Sequence, residues 1–155
     1  MMSAPGLRNY QQSKTEFVRI STDERDRERA GRERFADFWG TASAEPKAIY
    51  DAFISASPLT HDVDLEAVYE SSVRGWWVHP QQAEPGQAIL FLHGGGYGKG
   101  SARAYRGFVS QIVSRARVPA LVIDHPLAPE AAVPAAPEAA IAAWRWLSPQ
   151  ALTES

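Results

Sequence analysis

Three consecutive glycines, Gly94-Gly95-Gly96, follow the apolar run Ala88–Leu92 and His93, and that junction limits what the chain can become. Glycine gives up side-chain packing and backbone entropy, so a run of three belongs where the main chain turns sharply or approaches a ligand closely. The segment AILFLH, bounded by the loop PQQAEPGQ and the glycines, fits a strand buried on both faces. From Ser101 the period becomes helical. Tyr105, Phe108, Val109, Ile112, Val113 and Ala116 fall on one face, with Ser101 as N-cap. Pro119 precedes ALVID, a second buried-type strand. Residues 88–124 are therefore expected to form a strand–helix–strand unit of a parallel sheet. A further helix should start at Pro137, with Ala140, Ile141, Trp144 and Leu147 inward.

Upstream, a helix is expected from Ser21 to about Trp39, opened by a Ser21/Glu24 capping box. Its stretch Asp23–Arg34 is almost all charged and reads as a solvated face, with Glu28 and Arg32 placed to pair. Phe35, Phe38 and Trp39 form an apolar cluster that needs something to pack on. A second helix fits Pro46–Ser55, with Ile49, Phe53 and Ala52 inward. Ala67–Val73 and Gly75–His79 read as strands joined tightly near Arg74-Gly75. The expected organisation is a tail over 1–20, a helical segment over 21–60 and an α/β core over 61–155.

Charge and composition remove several functions. Lys+Arg number 16 against Asp+Glu 18, so the chain lacks the basic field a nucleic-acid binder needs. The Trp76/Trp77 and Trp144/Trp146 pairs are better read as packing than as a platform for bases. Zero cysteines exclude disulfides and thiolate metal sites and favour a reducing, cytoplasmic home. His61, His79, His93 and His125 have no helical ligand spacing, so no metal site is expected. The first residues carry no apolar signal-peptide core, and no apolar run is long enough to span a membrane.

The glycine loop admits several readings. A dinucleotide fingerprint fails because Lys99 or Ser101 stands where its third glycine should be. A Walker A loop fails because Gly100 follows Lys99, and His93 stands where its first glycine belongs. A plain turn remains open. So does a loop of backbone N–H donors for a developing oxyanion, the role of an HGGG-type segment after such a strand.

The second strand runs into Asp124-His125-Pro126-Leu127-Ala128-Pro129-Glu130, and a Pro–Ala-rich helix follows. HGGGY, then LAPE, then PAAPEAAIAAWRWL resemble, in order and spacing, the hormone-sensitive-lipase-like esterases (bacterial family IV, the α/β-hydrolase fold-3 group) over about Ala88–Leu147. The resemblance implies an α/β fold, specifically a partial α/β-hydrolase: cap helices, a hairpin, then strand–helix–strand–helix. The C-terminal half would be missing. It implies an oxyanion hole at Gly94, Gly95 and Gly96, with Gly95 and Gly96 as donors. His93, Tyr97 and Glu130 would shape the loop or line the pocket. It implies a small ester substrate, water as co-substrate and no cofactor. His125-Pro126 replaces the family's Tyr-Arg, so a guanidinium anchor is lost. No serine lies in G-x-S-x-G, and no triad can be assembled. The chain is thus expected to be a truncated member, inactive by itself. Its open sheet edge would invite self-association or a complementing C-terminal half. Asp124 and Glu130 are better read as hydrogen-bonding loop residues than as catalytic acids.

Overall fold

The computed structural model describes residues 17–41, 45–70 and 72–153. The chain divides into two compact units, residues 1–41 and 42–155. Most of the tail expected over 1–20 lies outside the described residues. The unit boundary falls inside the expected 21–60 segment, between its two helices.

The first unit is described as helix α1, Thr22–Thr41. Its capping box forms as expected: the Ser21 N–H donates to Glu24 Oε2 at 2.7 Å, and the Glu24 N–H donates to Ser21 Oγ at 3.2 Å. Glu28 and Arg32 pair at 3.3 Å while both stay largely exposed. Such pairs contribute at most about 1 kcal/mol. Phe35, Phe38 and Trp39 lean on one another, with ring centroids 6.0 and 5.6 Å apart.

The second unit holds α2 (Pro46–Ser55), β1 (Val63–Tyr69), β2 (Arg74–Pro80), β3 (Ile89–Leu92), α3 (Ala102–Ala116), β4 (Ala120–Ile123) and α4 (Ala135–Thr153). The sheet order is β1-β2-β4-β3. β2 runs antiparallel to β1 and to β4, and β3 runs parallel to β4. β4 alternates strictly. Ala120 and Val122 join Val63, Val78, Tyr105, Val109 and Val113 in one cluster, while Leu121 and Ile123 join Val68, Val73, Ala143 and Leu147 in the other. α3 and α4 therefore cover opposite faces, and all four residues of β4 are buried. Each large side chain so buried contributes roughly 1.5–3 kcal/mol, well beyond any surface ion pair of α1.

Several expectations shift. The first strand starts at Val63 and ends at Tyr69, because Glu70 N–H to Val73 carbonyl (2.9 Å) closes the turn there. Gly75 is not a turn residue. It lies within β2 opposite Ile123, where a Cβ would overlap the Val122 carbonyl oxygen. β3 is not buried on both faces. Among the described strands it has one neighbour, β4, and Leu92 is 49% exposed. The buried face of α3 is rotated toward Ala102, Ala104, Gly107 and Ser110, which leaves Phe108 and Ile112 exposed. On α4, Ala143 and Leu147 are buried while Ile141 and Trp144 are exposed. The four exposed apolar side chains occupy the two helices that cover β3, an edge without a second neighbour among the described strands.

α2 forms over the expected residues, with Glu45 accepting from the Lys47 and Ala48 N–H groups. It reaches the core through Tyr50 and Ile54. The segment after it is stitched to α3: Thr60 N–H to Ser110 Oγ at 3.1 Å, Gln111 Nε2 to the Pro58 carbonyl at 2.9 Å, and Ser114 Oγ to Asp62 Oδ2 at 2.7 Å. Gly107 permits this approach, since a Cβ there would overlap the Ser57 carbonyl oxygen. Gly→Ala in mid-helix normally stabilises by about 1 kcal/mol. Gly107→Ala should instead destabilise, read as a lower urea midpoint with an unchanged m-value.

Candidate functional site

Parallel strands end on the same side, so Leu92 and its register partner Ile123 release their loops next to each other. The carboxyl ends of such strands are where α/β proteins place ligands. The loop leaving β3, His93–Gly100, needs left-handed backbone at four positions: Gly95 (φ +131°), Gly96 (φ +61°), Tyr97 (φ +59°) and Gly100 (φ +94°). At Gly95 a Cβ would overlap the Lys99 carbonyl oxygen, whereas the space beside Gly96 is open. The Gly98 N–H closes a turn on the Gly95 carbonyl at 3.3 Å. The Ala128 N–H reaches the Tyr97 carbonyl at 2.7 Å and ties this loop to the one leaving β4.

His93, 6% exposed, shapes the start of the loop. Its Nδ1 lies 2.9 Å from the Gly94 carbonyl oxygen. A carbonyl only accepts, so that nitrogen carries the hydrogen in this arrangement. Burial holds the imidazole below its usual pKa, and the neighbouring His125 pushes the same way against the Gly94 hydrogen bond. His125 stacks on His93, with ring centroids 4.2 Å apart and planes inclined by 18°. Its Nε2 faces the His93 carbonyl at 3.4 Å and its Nδ1 the Pro126 carbonyl at 3.3 Å. Where the family's loop would carry Tyr-Arg, the two loops are here joined by stacked rings.

Behind the loop, Tyr105 of α3 and Tyr50 of α2 place their hydroxyls 2.8 Å apart. Burial first, and the bond to Tyr50 second, push the Tyr105 phenol up to about 12. The nearby Gly94 backbone acts in the opposite direction. The N-terminus of α3 is capped twice. The Ala104 N–H donates to Ser101 Oγ at 3.2 Å, and the Ala102 N–H to Asp124 Oδ1 at 2.7 Å. Ser101 Oγ donates onward to Asp51 Oδ2 at 3.0 Å. Two carboxylates at a helix N-terminus are stabilised by its dipole. Asp124 is thus a strand-end residue satisfying a neighbouring N–H.

A cavity of about 550 Å³ opens over the loop, lined by His93 to Tyr97, His125, Leu92 and the α4 residues Ala136, Pro137, Ala140 and Ile141. Among the described residues, neither the Gly95 nor the Gly96 N–H has a hydrogen-bond partner. Unpaired donors beside a largely apolar recess suit a ligand oxygen that carries negative charge. Of the residues singled out from sequence, His93, Gly94, Gly95, Gly96 and Tyr97 converge here. Glu130 does not: it is exposed on the turn 128–130, outside the cavity lining, while Leu127 turns partly inward. His125, Tyr50 and Tyr105 escaped the sequence reading as site residues. His125 registered there only as a departure from a motif. Among the described residues no third ligating side chain joins His93 and His125 to hold a metal.

A family model for the alpha/beta hydrolase fold matches residues 89–155. A solved esterase of the bacterial hormone-sensitive lipase family superposes with a TM-score of 0.72 at 30% identity, over 86% of this chain and 45% of that one. The chain is thus similar, over part of its length, to hormone-sensitive-lipase-like α/β-hydrolases. It is also similar to an ethyl acetate hydrolase of Pseudomonas putida, 40% identical over 75 residues, which is 46% of this chain and 24% of that protein. It is also similar to an acetyl-hydrolase of Streptomyces hygroscopicus, 38% identical over 74 residues, 48% and 24% of the two chains. The chain thus spans about a quarter of the length of these curated relatives.

Three outcomes follow for this loop. Gly96→Ala meets open space and should cost about 1 kcal/mol for its left-handed backbone. Gly95→Ala adds the Lys99 overlap and should cost clearly more in urea unfolding. His93 should titrate below the usual ~6.5 of a free histidine, read from its imidazole proton shifts. Since the fold favours the neutral ring, His93 contributes stability that is fully present above the unfolded pKa. That stability is lost as pH falls through the lower folded value.

Proposed function

We propose that this chain supplies the oxyanion-hole part of a carboxylic-ester hydrolase acting on small acyl esters, with the serine, acid and base contributed from outside these 155 residues. The observation that carries the reading is the pair of unpartnered N–H groups at Gly95 and Gly96 on the cavity wall. As a nucleophile adds to an ester carbonyl, the oxygen gains negative charge, and fixed donors in a water-poor recess stabilise it. Loss of one such donor typically lowers kcat roughly 10²–10³-fold. Gly94 lets the backbone turn, His93 and Tyr97 shape the loop and the cavity wall, and Glu130 steadies the LAPE turn. Water is the second substrate, and ester hydrolysis of this kind uses no cofactor. A small acyl group is favoured by the printed activities of the similar ethyl acetate hydrolase and acetyl-hydrolase. Zero cysteine is compatible with a cytoplasmic setting.

Four of the described serines are engaged in structural hydrogen bonds, which supports this reading. Ser101 is the N-cap of α3, Ser110 donates to the Gly107 carbonyl, Ser114 to Asp62 and Ser148 to the Trp144 carbonyl. None follows the turn of a nucleophile elbow. A second reading, association through the β3 edge, is favoured by the apolar rim of Leu92, Phe108, Ile112, Ile141 and Trp144. The occupant could be a complementing hydrolase half or a second copy.

Purified 1–155 should hydrolyse p-nitrophenyl acetate no faster than background. Adding a C-terminal hydrolase half that carries G-x-S-x-G should produce turnover abolished by a serine-directed phosphonate. Phosphonate-sensitive turnover by 1–155 alone would sink the claim that the nucleophile lies elsewhere. Sedimentation of 1–155 as a monomer at high concentration counts against the edge-association reading.

A further inference from the structure

The glycine loop leaves β3 and returns as α3, and its two limbs lie back to back. A Cβ at Gly95 would overlap the Lys99 carbonyl oxygen, and one at Gly100 would overlap the Gly94 carbonyl oxygen. The Gly98 N–H also bonds across the loop to the Gly95 carbonyl at 3.3 Å. Three successive glycines have no side chains to hold their peptide planes, so the place of the returning limb decides where the outgoing amides point. The outgoing limb is fixed by the sheet, where Leu92 is paired with Ile123. The returning limb is fixed at Ala102, the first residue of α3. Ala102 is fully buried, and its N–H belongs to the first helical turn, which supplies no acceptor of its own. The acceptor is Asp124 Oδ1 at 2.7 Å. Asp124 follows Ile123 directly, and its own N–H is held by the Arg74 carbonyl of β2 at 2.8 Å. Two adjacent residues at the end of β4 thus hold both ends of the loop.

We propose that Asp124 is a positioning residue: its carboxylate pins the first turn of α3 to the end of β4 and so sets the direction of the Gly95 and Gly96 N–H groups. The role rests on those two groups being the oxyanion donors. The other carboxylate at this helix end has a different task. Asp51 of α2 accepts from Ser101 Oγ at 3.0 Å, which ties α3 to α2 and leaves the sheet out. Asp124 ties α3 to the strand that also fixes the other end of the loop. A further hold comes from the loop after β4, where the Ala128 N–H reaches the Tyr97 carbonyl at 2.7 Å, just beyond Gly96. Asp124 does not line the cavity, so it acts on the donors through the loop backbone. Its side chain is exposed, and replacing it should leave the apolar core intact.

The test is NMR on the ¹⁵N-labelled 155-residue chain and on Asp124→Ala, with Asp124→Asn as the conservative variant that keeps an acceptor oxygen and drops the charge. Ser114→Ala is the stability control, because it removes a 2.7 Å bond to Asp62 at the far end of α3. Amide exchange at Ala102 should speed roughly fivefold in Asp124→Ala, the factor that corresponds to the ~1 kcal/mol of a lost helix cap. Residual dipolar couplings of the Gly95 and Gly96 N–H bonds should change in the same variant, while those of Leu121–Ile123 hold. Asp124→Asn should return both readouts toward the parent values, and Ser114→Ala should leave the glycine couplings where they are. Faster Ala102 exchange with unchanged glycine couplings marks a helix cap and nothing more, and overturns the proposal. So do unchanged Ala102 exchange, glycine couplings that move equally in Ser114→Ala, and an Asp124→Asn variant that behaves as Asp124→Ala. Should Asp124→Ala fail to fold, Asp124→Glu decides by the same readouts, since it keeps the charge and displaces the acceptor by one methylene. None of these readouts involves turnover. An inactive complemented enzyme sinks the esterase reading and leaves the placement of the loop to stand or fall by its own result.

Discussion

Everything in the second unit hangs on the exclusion of water from both sides of β4. Four consecutive side chains are buried there, two against α3 and two against α4. That strand sets the plane of the sheet and pairs in parallel with β3. It also fixes where two loops emerge side by side, so the site inherits its geometry from an apolar interaction that takes no part in its chemistry. Hydrophobic burial is non-directional, and it cannot by itself orient an amide. Orientation comes from the short-range polar layer above it: Asp124 and Ser101 on the first turn of α3, His93 on the Gly94 carbonyl, and the phenol pair beneath.

The two kinds of force divide the work at the glycine loop. Burial supplies a neutral His93, whose ring stacks between Tyr105 and His125 instead of carrying charge into the cavity. A positive charge there would compete with the backbone donors for any anionic oxygen. Glycine supplies backbone geometry that a side chain forbids at Gly95 and penalises at Gly96. Where the family's second loop would carry a guanidinium, His125 joins the loops by stacking and two long carbonyl contacts. The junction keeps its contact without a fork of donors.

Patterns with a local cause were legible in the sequence. The capping box at Ser21, the extent of α2, the Ser101 cap and the glycine loop all follow from neighbouring residues, and the structure has each of them. What failed depended on strand order. AILFL reads as doubly buried because its composition matches ALVI, yet of these two strands β4 alone has a described neighbour on each side. The face of α3 was misjudged for a related reason. Gly107 and Ser110 are polar or small by type, but they are buried because residues 57–60 press on them from a distant stretch of chain. The Tyr50–Tyr105 contact joins residues 55 positions apart, and neither tyrosine differs by type from an ordinary core aromatic. The loop's residue identities were therefore readable, while its supports were not.

The rim beside β3 has a thermal consequence. Leu92, Phe108, Ile112, Ile141 and Trp144 expose apolar surface beside a strand edge that pairs with no other described strand. Water released from such surface drives association mainly through entropy near room temperature, and that drive fades on cooling. Contacts made through this rim would loosen in the cold and tighten on warming or in sulfate. Contacts made through the charged face of α1 would respond chiefly to ionic strength. The two surfaces of one short chain thus answer to different solvent variables.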